Sequence, residues 1–371
     1  MTNTDLFSTG RIGALELPNR LVMAPLTRNR ADADGTPSAL MRTHYTQRAG
    51  AGLIIAEGTT PNPVGQTYPN IPGIHSDSQI AGWRRVTDSV RDAGGRMFLQ
   101  LQHGGRVGHP DNSGLVPVAP SAIALPEGIH TPSGHQEAVT PRALSQNEID
   151  STIADFAQAA RNAVAAGFEG VEIHSANGHL LHQFLAGNTN HRTDAYGGSI
   201  ANRIRFTLEV VDAVIAAIGA DRVGIRIAPG VTTNGIAEDD TDELYPALVT
   251  ALAPSHPAYL HVVFADPETA LFQQIRQLWP HTLIANPNLG WGVPLPADGG
   301  KAAAETLLAA GADLVSLGRA FLANPDLVDR LRIGAPLNPV RDTPLMYVGG
   351  PQGYNDYPTL DTDPARSAAV A

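Results

Sequence analysis

Ser145-Gln146-Asn147-Glu148, a run on to Ala166-Gly167, and then Val171-Glu172-Ile173-His174 form the stretch that decides the fold. It opens with a serine three residues ahead of a glutamate, the reciprocal capping pair that starts helices. Ile149, Ile153, Phe156, Ala160 and Val164 then recur at helical spacing, which lays an apolar stripe along one face. Gly167 suits the left-handed residue that ends a helix. The short run that follows sets Glu172 and a terminal His174 among apolar residues, while the other strand-length runs of the chain are more nearly continuous. Near-continuous apolarity of this kind fits a parallel strand covered on both faces.

This helix-then-strand unit recurs along the chain. Apolar runs of strand length stand at Leu21–Ala24, Leu53–Ala56, Met97–Leu101, Val171–His174, Val223–Ile227, Tyr259–Val263, Leu283–Ala285 and Leu314–Leu317. Helical patterns fill the gaps at Ile200–Ile218, Thr241–Leu252, Pro267–Leu278 and Gly300–Ala310, and glycines follow Ala93 and Ala310 as one follows Ala166. Eight strands alternating with helices predict an α/β fold, a single (β/α)8 TIM barrel. An open doubly wound sheet is the alternative, weakened because no Gly-x-Gly-x-x-Gly follows the first strand. Residues 104–141, rich in Gly, Pro, Ser and His, are a long excursion after the third strand and should lie near the barrel mouth. One domain is expected over 1–358, with a flexible tail over 359–371.

Composition sets the outer bounds. The 371 residues are 43% hydrophobic and 16% charged, a globular balance. Glycine (37) and proline (29) make up about 18% of the chain against ~12% on average, so many turns are needed. There is no cysteine, which excludes disulfides, thiolate nucleophiles and Cys-ligated zinc or iron–sulfur centres. A net charge of −11 argues against a nucleic-acid partner. No apolar run approaches the ~18 residues of a membrane span, and no secretory leader is visible, so a cytoplasmic protein without a membrane partner is expected. Both a monomer and a homo-oligomer remain open.

In a barrel, working side chains sit where strands end on the C-terminal face. Reading those ends collects Thr27, Arg28, Glu57, Gln100, His103, His174, Asn177, Arg226, His261, Asn286 and Gly318-Arg319. Any one of them has a bland reading, since a strand-end arginine usually pairs with a neighbouring carboxylate. Buried together, they all need partners. Gly318-Arg319 directly after the eighth strand also fits the phosphate position common to barrels.

Several of these residues lie in segments that resemble the Old Yellow Enzyme family. The segments are Ala24-Pro25-Leu26-Thr27-Arg28, Gln100-Leu101-Gln102-His103-Gly104-Gly105-Arg106 and His174-Ser175-Ala176-Asn177-Gly178-His179-Leu180-Leu181-His182-Gln183-Phe184-Leu185. Asn190-His191-Arg192-Thr193-Asp194-Ala195-Tyr196-Gly197-Gly198-Ser199, Gly318-Arg319 with Asn324-Pro325-Asp326-Leu327, and Gly353-Tyr354-Asn355-Asp356-Tyr357-Pro358 follow in the family's order. The resemblance implies noncovalent FMN at the barrel mouth, reduced by NADPH or NADH. Small activated alkenes (enones, maleimides, nitroalkenes), and in some relatives nitro compounds, would then be reduced by turns in one site.

Residue by residue, the resemblance implies that Pro25, Leu26, Thr27, Gly58, Gln100, Arg226, Asn288, Gly318 and Arg319 hold the cofactor. His174 and Asn177 would clamp the substrate oxygen, while Tyr68, Gln102 and Tyr347 line the substrate cavity. The Asn286–Gly292 segment departs from the family's glycine-rich turn, which bears on Asn288. Gln102 stands where many relatives carry Trp and should widen the cavity. His179 stands where the family usually has a proton-donating Tyr. Three options follow: an altered donor, which would lose activity as pH rises through the imidazole pKa near 6.5, solvent in its place, or substrates that need no such proton. A metal is the competing reading of His174, His179 and His182, but no His-Glu-x-x-His or suitably spaced carboxylate accompanies them, so no metal is expected. Another FMN or phosphate barrel of the hydroxy-acid oxidase type, and a flavin binder with weak catalysis, are the rival functions.

Overall fold

The structure is a computed structural model that describes residues 5–290, 292–341, 344–347 and 349–361. The capping pair forms as the sequence predicts: Ser145 N–H donates to Glu148 at 2.8 Å and the helix runs Gln146–Ala165. Gly167 (φ 92°) and Gly311 (φ 100°) take the left-handed turn that lets each helix stop and the next strand begin.

Eight parallel strands close into one barrel, so the open sheet is excluded. We number them β1 (Leu21–Met23), β2 (Leu53–Thr59), β3 (Met97–Leu101), β4 (Gly170–Ser175), β5 (Val223–Ile227), β6 (Tyr259–Ala265), β7 (Leu283–Pro287) and β8 (Leu314–Leu317). Val315 of β8 pairs with Leu21 of β1 and closes the ring. Alternate residues face outward against the helices, where Val171, Ile173, Val223 and Ile225 join the main core. The interior floor is a separate apolar cluster of Val22, Leu53, Ile55, Phe98, Tyr259, Ile284 and Leu314. A hairpin of Gly10–Ile12 and Leu15–Leu17, not anticipated from the sequence, plugs the floor from below with Ile12 and Leu17.

Two helices differ from the sequence reading. Ile200–Ile218 is broken at Ile204 into Ile200–Arg203 and Arg205–Ile218, where the Arg203 guanidinium is drawn to Leu185 O and Asp240. The helix expected from Pro267 begins at Ala270, because the Thr269 hydroxyl caps Phe272 N–H and Asp266 closes a turn on Glu268 N–H. The 104–141 excursion contains two short helical turns and a hairpin of Ile129–Thr131 with Gly134–Gln136. Of the expected tail, residues 362–371 lie outside the described residues. No helix among the described residues is long and apolar enough to cross a membrane.

Candidate active site

Above the floor the barrel interior turns polar. Gln100 and Glu172 sit side by side in the β3–β4 register, and Arg226 of β5 lies in register with both His174 of β4 and His261 of β6. Gln100 Nε2 donates to Glu172 at 2.8 Å, His261 Nδ1 meets the other Glu172 oxygen at 2.8 Å, and His261 Nε2 meets Ser316 Oγ at 2.8 Å. Burial pushes the Glu172 carboxyl up, but the His261 imidazole and the other donors outweigh it and hold the group below the usual carboxylate range. Burial holds His261 below the usual imidazole value. The pair is therefore a carboxylate beside a neutral ring.

A cavity of about 1150 Å3 opens over this layer at the C-terminal strand ends. That exceeds the ~300–1,000 Å3 of ordinary small-ligand pockets and leaves room for a cofactor and a substrate together. Thirteen of the fifteen residues singled out in the sequence line it: Pro25, Leu26, Thr27, Tyr68, Gln100, Gln102, His174, Asn177, His179, Arg226, Gly318, Arg319 and Tyr347. Two do not. Gly58 lies inside β2, where a Cβ would fall 2.1 Å from Gln102 Oε1, so its bareness makes room for Gln102. Asn288 is exposed, its Oδ1 taken by Gly290 N–H at 3.3 Å. Asn286 lines the wall instead, with Nδ2 donating to Ser316 O at 2.9 Å.

The clamp segment is built from backbone geometry. Asn177 adopts φ 54°, and its carbonyl accepts from Asn234 Nδ2 at 2.8 Å. Gly178 N–H donates to His182 Nδ1 at 3.1 Å, which places the His182 proton on Nε2, facing Glu238 at 3.0 Å. His182 is thus turned toward Glu238 and Tyr245 rather than toward His174 and His179. The His174 and His179 rings lie 4.7 Å apart between centroids. Burial and the neighbouring His179 hold His174 well below the usual imidazole value. Burial likewise lowers His179 to about 4, so protonated His179 is scarce at neutral pH. A ring with that value would not give a loss of activity centred near pH 6.5.

Sequence reasoning missed several wall residues. His130, Thr131 and Gly134 arrive from the hairpin, for which no motif spoke. Asn234 was signalled by the Asn234-Gly235 turn pair, which the sequence reading did not use. Phe264 lines the wall at φ 51° beside an irregularity in the β6–β7 pairing, and nothing local announces it. Arg28 and Glu57, gathered from the strand ends, serve the structure. Arg28 holds Met346 O (2.8 Å) and Gly353 O (2.9 Å), which brings in the segment that carries Tyr347. Glu57 accepts from Tyr45 and from Arg28 N–H, both at 3.1 Å.

The residues fit FMN. Arg226 Nε and His174 Nδ1 are buried polar atoms without partners in the wall, beside the Gln100 amide. Arg319 stands at β8, across the mouth from β3–β5, and presently binds the carbonyls of Leu289, Gly290 and Val293. An elongated group with a polar ring at one end and a phosphate at the other meets both. A closed barrel with this mouth defines a cofactor-dependent oxidoreductase of the TIM-barrel class. The chain belongs to the NADH:flavin oxidoreductase / NADH oxidase family, whose profile matches residues 5–338, and which includes Old Yellow Enzyme.

Similar proteins agree over nearly the whole length. A "probable flavin mononucleotide-dependent alkene reductase" of Leishmania infantum is 42% identical over 359 residues, covering 94% of this chain and 96% of that protein. Morphinone reductase solved with tetrahydroNAD is 42% identical, with a TM-score of 0.89 and coverage of 97% and 98%. An Old Yellow Enzyme homologue from Zymomonas mobilis is 38% identical, with a TM-score of 0.89 and coverage of 96% and 100%.

Proposed function

We propose that this chain reduces activated C=C bonds of small molecules such as enones, maleimides and nitroalkenes, with nitro compounds as a further class, using hydride from NADPH or NADH. FMN held in this cavity would supply the hydride carrier between nicotinamide and alkene, so donor and acceptor would use one site in turn. A cytoplasmic setting suits an enzyme fed by a reduced nicotinamide.

The chain's own residues bind, polarise and exclude. Gln100 and Arg226 hold the ring, Thr27 opens on the cavity beside them, and Gly318 with Arg319 takes the phosphate. A fixed cation at Arg226 favours the electron-rich state of what it binds. His174 and Asn177 direct donors at one substrate carbonyl or nitro oxygen and stabilise the charge that develops there. Tyr68, Gln102 and Tyr347 shape the space, with the Tyr68 phenol lifted by burial to about 12 and so kept protonated. His179 Nδ1 lies 3.4 Å from Ala176 O; with its proton there, Nε2 is an acceptor, and the last proton comes from solvent.

The observation that carries this reading is the convergence of His174, Asn177, Gln100 and Arg226 on one large cavity. Its test is an anaerobic titration of the yellow protein with NADPH. Bleaching followed by reoxidation with cyclohexenone is expected. A flavin that bleaches but is reoxidised only by oxygen would overturn alkene reduction, and a colourless protein that refuses FMN would overturn the cofactor.

A further inference from the structure

Beneath the cavity lies a buried chain of hydrogen bonds that the proposed chemistry does not itself use. Glu172 and His261 are both fully buried, and neither lines the cavity. A buried carboxylate is costly unless its oxygens are satisfied, and here both are met by donors at 2.8 Å. We propose that Glu172 and His261, with Ser316, are positioning residues that lock the Gln100 amide with its oxygen toward the cavity, so that the site selects a ring carrying an imide N–H.

The argument is one of donor direction. A side-chain amide can present either end, and nothing in its own shape decides which. An ionised carboxylate only accepts, so the end of Gln100 that faces Glu172 must be the NH2. Glu172 stays ionised because His261 Nδ1–H donates to its second oxygen. That tautomer leaves His261 Nε2 as an acceptor, which the Ser316 hydroxyl fills at 2.8 Å. Every bond then runs one way: Ser316 to His261, His261 to Glu172, and Gln100 to Glu172. What remains for the cavity is Gln100 Oε1, an acceptor, with one amide N–H beside it. Its complement is a ring N–H flanked by carbonyls, the imide edge found in the pyrimidine half of FMN. Glu172 also offsets Arg226, in register with His261 one strand along. Losing the carboxylate therefore frees the amide to turn and leaves the Arg226 charge unopposed.

The inference rests on the reading that Gln100 faces the FMN ring, and the experiment separates the two. Apo-protein is reconstituted with FMN or with N3-methyl-FMN, which lacks the imide N–H, and both dissociation constants are measured. A site built to pair a polar group rejects an analogue lacking it far more strongly than an apolar pocket does. The wild-type chain should therefore prefer FMN by tenfold or more. In Glu172→Gln that preference should fall below about threefold. The two-electron potential of the bound FMN should also rise by about 30 mV for each tenfold gain in relative affinity for the reduced form. Ser316→Ala should move both readouts the same way by less, and supplies the test should Glu172→Gln fail to fold. Preference lost in Gln100→Leu but kept at wild-type strength in Glu172→Gln and Ser316→Ala overturns the positioning role alone. Preference unchanged in Gln100→Leu overturns the placement of the ring.

Discussion

A left-handed backbone costs an ordinary L-residue about 1–2 kcal/mol, and asparagine is among the few that visit it routinely. Asn177 sits there at φ 54° with its side chain on the cavity wall, so one position carries both the turn and the clamp. The two roles separate by substitution. Asn177→Gly keeps the turn and removes the amide, so thermal stability should hold while alkene turnover drops about 10²–10³-fold, the usual cost of one oxyanion donor. Asn177→Ala should lose activity equally and also about 1 kcal/mol of stability. Equal stability of the two variants would show that the turn is not strained. Phe264 poses the same question in a bulkier form, since an aromatic residue at φ 51° is an outlier. His179 is a residue where environment overrides identity. An imidazole suggests titration near 6.5, but burial takes this one to about 4. The rate of reoxidation by an enone should therefore be flat from pH 5.5 to 8.5 as far as His179 is concerned. A fall centred near pH 6.5, absent in His179→Phe, would restore the protonated histidine as donor.

Among the elements, the hairpin Ile129–Thr131 with Gly134–Gln136 stands outside the barrel ring yet supplies His130, Thr131 and Gly134 to the cavity wall. It rests on its own small cluster of Val107, Leu125 and Ile129, against which Tyr68 packs. Gly134 turns the chain at φ 100°, which other residues resist. Gly134→Val should thus raise KM for bulky enones severalfold and leave FMN affinity unchanged, measured by steady-state kinetics and flavin titration. Loss of FMN binding would mean that the hairpin braces the barrel. The same contrast explains what could be read in advance. The eight barrel strands declared themselves because each is buried on both faces and reads as a short, mostly apolar run, and the helix from Ser145 because its cap is chemical. The hairpin and the floor plug are three-residue strands with no periodicity to detect. Likeness of motif assigns Gly58 and Asn288 to the cofactor, but neither lines the cavity; their surroundings depend on the Gln102 side chain and on the course of the chain after β7, which local sequence does not specify.

At the scale of the whole molecule, the polar interior makes folding sensitive to acid. Burial, first among the causes, holds His44 and His174 well below the ordinary imidazole value, His103 at about 3 and His179 at about 4. In the unfolded chain all four titrate near 6.5. As pH falls below that value the unfolded state takes up protons the native state refuses, so stability is full above about pH 6.5 and is lost on the way down toward 4. Each such histidine contributes up to about 1.4 kcal/mol per pH unit. Glu57, raised by burial, opposes them by at most one proton at the lower end of the range. The melting temperature, followed with FMN at saturation, should accordingly fall steadily from pH 7 to pH 5. His103→Gln should flatten that slope by about a sixth, because one of six proton-refusing histidines is gone, His75 and His261 also being lowered by burial. His103 is suited to this test because it lies off the cavity wall, its Nδ1 accepting from Gly105 N–H at 3.1 Å, a bond that a glutamine oxygen can replace. An unchanged slope in the variant, or a melting temperature indifferent to pH over this range, would mean that the native chain opens these histidines to solvent before it unfolds.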